Sequence, residues 1–278
     1  MKRPFQQIDV FTDRPYFGNP VAVVLDGQGL DTAQMHRFTD WTNLSEATFV
    51  LPPTNPQADY QLRIFCPGRE LAFAGHPTLG SCHAWLAAGG QPKGEFIVQE
   101  CGVGLVRVRR DGLRLAFAAP PLRRNGALDD DEFDRILHGL NLQAADVLAS
   151  AWCDNGPGWR GLLLRSVDQL MAIRPDAALL KGLDVGLAAL HPPGSECQIE
   201  VRAFFPGNGG SLAEDPVTGS LNAALAQWLI GSGVLPPRYV AAQGTALGRS
   251  GRVFVQQQGP DIWIGGHSVS CISGEVDL

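Results

Sequence analysis

The chain has 278 residues, 45% of them hydrophobic and 18% charged, which is enough for one large domain or two domains of ordinary size. Its net charge of −6 and its lack of a basic, aromatic-rich segment argue against nucleic-acid binding. No apolar run approaches the roughly 20 residues that span a bilayer, and the N-terminus lacks the apolar core of a signal peptide. We therefore expect a cytoplasmic protein with neither nucleic-acid nor membrane partners.

In the first half, the predicted elements are mostly strands with one apolar helix among them. Alternating or β-branched runs predict strands at 7–11, 21–25, 47–51, 60–65, 96–98, 104–109 and 113–117. Helices are predicted at 31–41 and 77–88. A proline- and arginine-containing stretch at 119–126 is the predicted linker to the second half.

The second half repeats this order. Helices are predicted at 129–138, 176–190 and 216–230, and strands at 159–166, 199–205, 239–243, 252–257 and 262–265. Because strands and helices do not alternate regularly, the pattern predicts an α+β fold rather than a doubly wound parallel sheet. The helices 77–88 and 216–230 are apolar on most sides, so we expect a curved sheet to surround each of them.

Two segments, 63–81 and 202–220, align with each other without a gap. Arg, Phe, Pro, Gly and Ser residues match at a spacing of 139 positions, which is half the chain length of 278. Pro67 and Pro206 are one such pair, and the same alignment sets His76 opposite Asp215. A repeat of this length favours two related lobes.

Both segments contain residues that start helices. His76 and Asp215 would take the N-cap position, each followed by a proline suited to the first helical position. Gly75 and Gly219 allow close approach to the backbone, and the N–H groups and dipole of a helix start favour a bound carboxylate. We expect the two helix starts to hold a small anion between them, the alternative being that both are merely capped helices.

A third candidate, Glu46, directly precedes the predicted strand 47–51. If it is buried, such a carboxylate can accept and return a proton near neutral pH, with His76 or Asp215 as its neighbour. The alternative is a solvated charge at the start of a strand. No histidine or cysteine spacing typical of a metal site occurs in the chain.

Along its whole length the chain resembles the PhzF family of phenazine biosynthesis, which has the diaminopimelate-epimerase-like fold. Five motifs carry the resemblance: Asp9–Phe11, Phe17–Val23, Asn43–Phe49, Gly75–Thr78 and Glu214–Ser220. Together they are highly specific, although Gly-His-Pro by itself would be weak. The resemblance implies two pseudo-symmetric lobes, each a sheet barrel around a central helix, with the substrate bound between them. Residues 1–118, completed by a C-terminal strand at about 266–278, would form one lobe, and 119–265 the other.

The resemblance also implies a homodimer, a small carboxylate substrate, and no metal or organic cofactor. It implies that Glu46 transfers a proton and that His76 and Asp215 act with it. The substrate-binding residues that it implies are Asn19, Gly75, Gly219 and Ser220. Related epimerases use one cysteine from each half, but here the only nearby thiol, Cys82, lies more than a turn into the first predicted helix.

Three functions are therefore weighed. The first is an isomerase in which Glu46 moves a proton on a small carboxylate, cyclic or acyclic. The second is a cofactor-independent amino-acid epimerase or racemase in which His76 or Asp215 acts on the opposite face. The third is a small-molecule-binding protein that has lost catalysis. The absence of a thiol pair favours one-sided proton transfer, and hence the isomerase.

Overall fold

The computed structural model describes residues 1–207 and 211–278. The chain folds into two compact units. We call them unit 1, which comprises Met1–Ala118 and Gly265–Leu278, and unit 2, which comprises Ala119–Ile264. Among the described residues, none of the helices combines the length and apolar character needed to cross a membrane.

The elements follow one another in the chain as mixed strands and helices, as the α+β prediction requires. Up to residue 118 they are β1 (Lys2–Val10), β2 (Asn19–Val24), α1 (Thr32–Thr42), β3 (Ala47–Leu51), β4 (Tyr60–Cys66), β5 (Arg69–Leu71), α2 (Gly75–Ala87), β6 (Ile97–Cys101), β7 (Gly104–Asp111) and β8 (Arg114–Ala118). They continue with β9 (Arg124–Gly126), α3 (Asp130–Leu140), β10 (Val147–Asp154), β11 (Trp159–Leu164), α4 (Val167–Ala172), β12 (Asp184–Leu190), β13 (Ile199–Pro206), β14 (Leu212–Asp215), α5 (Gly219–Gly231), β15 (Arg238–Gln243), β16 (Gly251–Gln258), β17 (Asp261–Gly266) and β18 (Ser268–Asp277).

In unit 1 the sheet curls around α2. Its strands run in the order β18, β1, β2, β3, β4, β6, β7 and β8, with parallel pairing between β2 and β3 and between β4 and β6. Strands from both ends of this order, β18 and β8, contact α2, as do β1 to β4. Nine of the thirteen residues of α2 are buried, so the apolar helix is enclosed as its sequence predicts.

Close packing against this sheet requires glycine at position 80 of α2. A methyl group there would lie 2.4 Å from Cγ1 of Val21 and 3.0 Å from Cγ2 of Val10. We expect Gly80→Ala to lower the free energy of unfolding by about 1–3 kcal/mol, because the helix must move away from β1 and β2. Urea denaturation measures this change. The control is Gly231→Ala at the end of α5, where nothing described lies within 4 Å of the added methyl group, so stability should not fall. Equal losses in both variants would contradict the packing argument.

Unit 2 repeats the pairing pattern of unit 1 around α5. The parallel pairs are β11 with β12 and β13 with β15, while β10 pairs antiparallel with β11, β12 with β13, β13 with β14, and β15 with β16. Helix α5 packs against β10, β11 and β16, and eight of its thirteen residues are buried. A second apolar cluster, built around Leu162, Leu187 and Phe204, lies on the other face of these strands under α3 and α4.

Three sequence-based predictions about helices are wrong. Residues 176–190 form turns followed by strand β12 instead of a helix, because the apolar run 185–189 is buried between β11 and β13. Helix α2 begins at Gly75 rather than Pro77, and α5 begins at Gly219 rather than Pro216. His76 and Asp215 are therefore not N-cap residues, since Ala74 and Thr218 hold those positions.

The repeat contains a gap that the ungapped alignment misses. Strands β4 and β13 begin 139 positions apart, but the helices α2 and α5 begin 144 positions apart, at Gly75 and Gly219. The second copy is therefore five residues longer between strand and helix, in a stretch that includes residues 208–210, outside the described part of the chain. In the structure His76 corresponds to Ser220, and Asp215 corresponds to Leu71, the last residue of β5.

Candidate active site

Three elements of unit 1 bring Glu46, His76 and Asn19 together. Glu46 directly precedes β3, His76 is the second residue of α2, and Asn19 begins β2. Oε2 of Glu46 lies 3.3 Å from Nε2 of His76, and the two side chains are only 16% and 5% exposed. Nδ2 of the buried Asn19 lies 3.3 Å from Nδ1 of His76. A carboxyl group, an imidazole and an amide thus form a line of contacts that is largely shielded from water.

The turn before β2 explains why Asn19 lies at this place. The backbone N–H of Gly18 donates to Oδ2 of the buried Asp9 at 3.1 Å, which ties the end of the turn to β1. A side chain at position 18 has no room, because its Cβ would lie 2.1 Å from the carbonyl oxygen of Val10. The two residues fix the start of β2, and with it the amide that contacts His76. Neither was predicted as a site residue, although both fall in the family motifs.

Burial keeps His76 uncharged at neutral pH. It lowers the pKa of His76 from the ordinary 6.5 to about 3, against a smaller opposite effect from a hydrogen bond with the backbone of Pro20. A neutral imidazole carries one hydrogen on its two nitrogens. The distance of 3.3 Å between Nε2 of His76 and Oε2 of Glu46 is therefore a close polar contact of an uncharged ring with the carboxyl group, and not an ion pair.

The low pKa of His76 predicts a loss of stability in acid. The unfolded chain takes up a proton at this residue below pH 6.5, whereas the folded protein does so only near pH 3, so stability falls as the pH drops through this range. One such proton costs about 2 kcal/mol between pH 7 and pH 5. We expect the free energy of unfolding of His76→Gln to depend less on pH than that of the unchanged protein, by about this amount. Parallel pH curves from urea denaturation would contradict the prediction.

The start of α2 is suited to binding an anion. Gly75 is its first residue, and the N-cap, Ala74, has no side-chain acceptor for the N–H groups of the first turn. The positive end of the helix dipole adds to the attraction for a carboxylate. Glu46 and His76 therefore lie beside a helix start that can hold the acid group of a small molecule.

In unit 2, Asp215 and Ser220 are held by separate hydrogen bonds near the start of α5. Oγ1 of Thr218 donates to Oδ2 of Asp215 at 2.6 Å. Oγ of Ser220 accepts from the indole N–H of Trp159 at 3.0 Å, and its carbonyl oxygen accepts from the side-chain amide of Asn155 at 2.8 Å. Sequence reasoning missed Thr218, Trp159 and Asn155, since their roles depend on contacts between distant segments.

The neighbouring carboxylates of β14 have different partners. Glu214 forms a bidentate ion pair with the buried Arg202, with both N···O distances at 2.8 Å, whereas Asp215 is bound by Thr218. The side of β14 with Glu214 lines a cleft of about 550 Å³ together with Phe204 and Met171. Glu214 is therefore engaged by the charged Arg202, whereas the Asp215 carboxylate accepts from the neutral hydroxyl group of Thr218.

The structure thus brings the predicted site residues together in two groups. Unit 1 contains Asn19, Glu46, Gly75 and His76, and unit 2 contains Asp215, Gly219 and Ser220. That both groups act on one substrate stays a prediction. Within residues 1–207 and 211–278, no three His, Cys, Asp or Glu side chains are placed to hold a metal ion.

No thiol stands at either helix start. Gly75 and Gly219 occupy the first positions of α2 and α5, and Cys82 lies two turns into α2. Burial raises the pKa of Cys82 to about 12, so its thiol is neither acidic nor nucleophilic near neutral pH. A two-thiol epimerase mechanism is therefore not supported by these positions.

Comparisons with known proteins agree with the motif-based resemblance. A family model described as phenazine biosynthesis-like protein matches residues 8–274. Antisense-enhancing sequence 1 of Schizosaccharomyces pombe is 34% identical, over 98% of this chain and 97% of its own length. Trans-2,3-dihydro-3-hydroxyanthranilate isomerase of Pseudomonas fluorescens is 33% identical, over 91% of this chain and 89% of its own length.

The fold agrees as well. The crystal structure of a PhzF-family phenazine biosynthesis protein from Enterococcus faecalis has a TM-score of 0.82 and 25% identity to the chain, with 100% of each chain covered. The predicted family and the predicted α+β fold with two pseudo-symmetric halves are both confirmed. Because the family model spans almost the whole sequence, the chain belongs to the phenazine biosynthesis-like PhzF family, among whose members are named isomerases.

Proposed function

We propose that the protein is an isomerase that moves a proton on a small, cyclic substrate bearing a carboxylate, with Glu46 as the group that removes and returns the proton. The observation that carries the proposal is the shielded contact of 3.3 Å between Glu46 and the neutral His76. General acid–base catalysis needs a carboxylate with limited access to water and a neighbour that fixes its orientation. The named activity of the relative from Pseudomonas fluorescens gives the class of reaction.

In the proposed reaction, the carboxylate of Glu46 takes a proton from a carbon next to a conjugated system. The C–H bond breaks, an O–H bond forms on Glu46, and the electron pair shifts along the conjugated system. Glu46 then returns the proton to another carbon on the same face, so that the double bond moves and no redox change occurs. His76, at 3.3 Å, limits the orientation of the Glu46 carboxyl group, and the start of α2 binds the acid group of the substrate.

The test is turnover of trans-2,3-dihydro-3-hydroxyanthranilate in deuterated water, followed by ultraviolet absorbance and proton NMR. Isomerisation should change the ultraviolet spectrum, because the double bond moves. Exchange of an α-proton with inversion and an unchanged spectrum would instead indicate an epimerase or racemase. Binding measured by calorimetry without turnover, for this compound and a panel of cyclic conjugated carboxylates, would contradict the proposed activity and favour a binding protein.

The proposed assembly is a homodimer, as the family resemblance implies. Sedimentation equilibrium should give about twice the chain mass of 29.8 kDa. A monomer at all concentrations would contradict this part of the proposal. The expected cytoplasmic location stays a prediction.

A further inference from the structure

Gln243, the last residue of β15, has a fully buried side chain that makes four hydrogen bonds beside the start of α5. Its Oε1 accepts from the backbone N–H of Thr218 at 3.0 Å and from Nδ2 of Asn222 at 2.8 Å. Its Nε2 donates to the carbonyl oxygen of Asp215 at 3.1 Å and to Oγ1 of Thr218 at 2.9 Å. A backbone N–H can only donate and a carbonyl oxygen can only accept, so the amide has one possible orientation.

This orientation determines the direction of the next hydrogen bond. Because Nε2 of Gln243 donates to the hydroxyl oxygen of Thr218, the hydroxyl hydrogen is left for another acceptor. That acceptor is Oδ2 of Asp215, only 2.6 Å away. Short hydrogen bonds from a hydroxyl to a carboxylate are charge-assisted, and they favour the ionised acid. The buried amide of Gln243 therefore directs the hydroxyl hydrogen of Thr218 to the carboxylate of Asp215.

We propose that Gln243 is a positioning residue that acts through Thr218 to hold the carboxylate of Asp215 in one orientation and in its charged form. The inference rests on the proposed function, because Asp215 is a proposed site residue. It adds Gln243 and Thr218 to that function, and neither was predicted from the sequence. Their role is to keep Asp215 an acceptor of hydrogen bonds rather than a donor during turnover.

Unit 1 contains a matching glutamine without this role. Gln99 on β6 precedes Gln243 by 144 positions, the spacing of the two helix starts, and its Nε2 donates to Oγ1 of Thr78 at 3.0 Å. Its Oε1 accepts from the hydroxyl group of Tyr60 at 3.1 Å. The residue that corresponds to Asp215 is Leu71, which has no carboxylate. Gln99→Met therefore removes a buried glutamine of the same kind and serves as the matched control.

The first readout needs no substrate. The carboxyl group of Asp215 is followed by ¹³C NMR with labelled aspartate, its signal being the one lost in Asp215→Asn. Thr218→Val removes the hydroxyl group that donates to Asp215, and Gln243→Met removes the amide that orients this hydroxyl group. We therefore expect both variants to raise the titration midpoint of Asp215 by about one pH unit or more. Thr218→Ser and Gln99→Met should leave the midpoint unchanged. An unchanged midpoint in Thr218→Val and Gln243→Met would overturn the inference.

The second readout is turnover of whichever substrate the enzyme converts. We expect Thr218→Val and Gln243→Met each to lower kcat about 10- to 100-fold, and Thr218→Ser to restore most of it. Since Gln243 acts through Thr218, the double variant should lose no more than the more impaired single variant. Losses that multiply would overturn the inference. Full activity in Glu46→Gln would reject the proposed function alone, because the NMR result for Asp215 stands without it.

Discussion

Glu46→Gln is expected to give a folded protein whose kcat is about 100- to 10,000-fold lower, which is the usual contribution of a general acid–base group. Glutamine has nearly the same shape as glutamate, and the amide still fits beside Nε2 of His76, where the side chain is 16% exposed. An amide does not accept or release a proton at neutral pH, so the proton-transfer step is lost. The substrate should still bind, so KM should change much less than kcat.

The comparison for this variant is Glu95→Gln, which removes one carboxylate from an exposed position in the same unit. It should keep full turnover. Thermal unfolding monitored by circular dichroism shows whether both variants remain folded. If Glu46→Gln folds and turns over a confirmed substrate at the normal rate, Glu46 is not the proton-transferring group.

Sequence patterns predicted the family and the surroundings of Glu46 well, because both depend on local runs of residues. The strand after Glu46 and the glycine before His76 each belong to a continuous motif. Helices α2 and α5 are apolar on most sides, and this property alone indicates that a sheet must surround each of them. Such features depend on residues that are neighbours in the sequence, so they can be predicted without knowledge of long-range contacts.

The helix starts could not be located from the same patterns. Proline is common at the first helical position, which suggested Pro77 and Pro216. Proline is tolerated anywhere in the first turn, however, since the first four N–H groups of a helix have no partner within it. Pro77 is in fact the third residue of α2, and Pro216 lies before α5. The ungapped alignment, which matched these prolines, therefore missed the five additional residues of the second copy and paired His76 with Asp215 wrongly.

Other parts of the structure depend on contacts between residues that are far apart in the sequence, and a local pattern does not show such contacts. Strand β12 has the alanine and leucine content of a helix, but its place between β11 and β13 decides its conformation. Gln243 lies 25 positions from Thr218, and although it repeats Gln99 at a spacing of 144, the repeat does not reveal this contact, because Thr218 corresponds to Ala74 in unit 1. Likewise, the sequence shows that an arginine and a nearby glutamate can form an ion pair, but it does not show whether that pair is buried.

Arg202→Met is expected to lower the free energy of unfolding by about 3–5 kcal/mol, the usual cost of leaving a buried charge unpaired. Nε and Nη2 of Arg202 donate to the two carboxylate oxygens of Glu214, and Nη1 donates to the carbonyl oxygens of Leu170 and Ile173 at 2.9 Å. The side chains of the ion pair are only 5% and 13% exposed. Methionine fills much of the volume but leaves Glu214 and the two carbonyl groups without these donors.

The repeat supplies the control for this prediction. Arg63 forms the same bidentate pair with Glu70 in unit 1, but these side chains are 26% and 39% exposed, so Arg63→Met should cost only about 0–1 kcal/mol. Replacing Arg202 and Glu214 together by methionine should cost less than replacing Arg202 alone, because no unpaired charge is then buried. Urea denaturation of the three variants measures these differences. Equal losses for Arg63→Met and Arg202→Met would show that burial does not determine the strength of the pair, since the chemistry of the two pairs is the same.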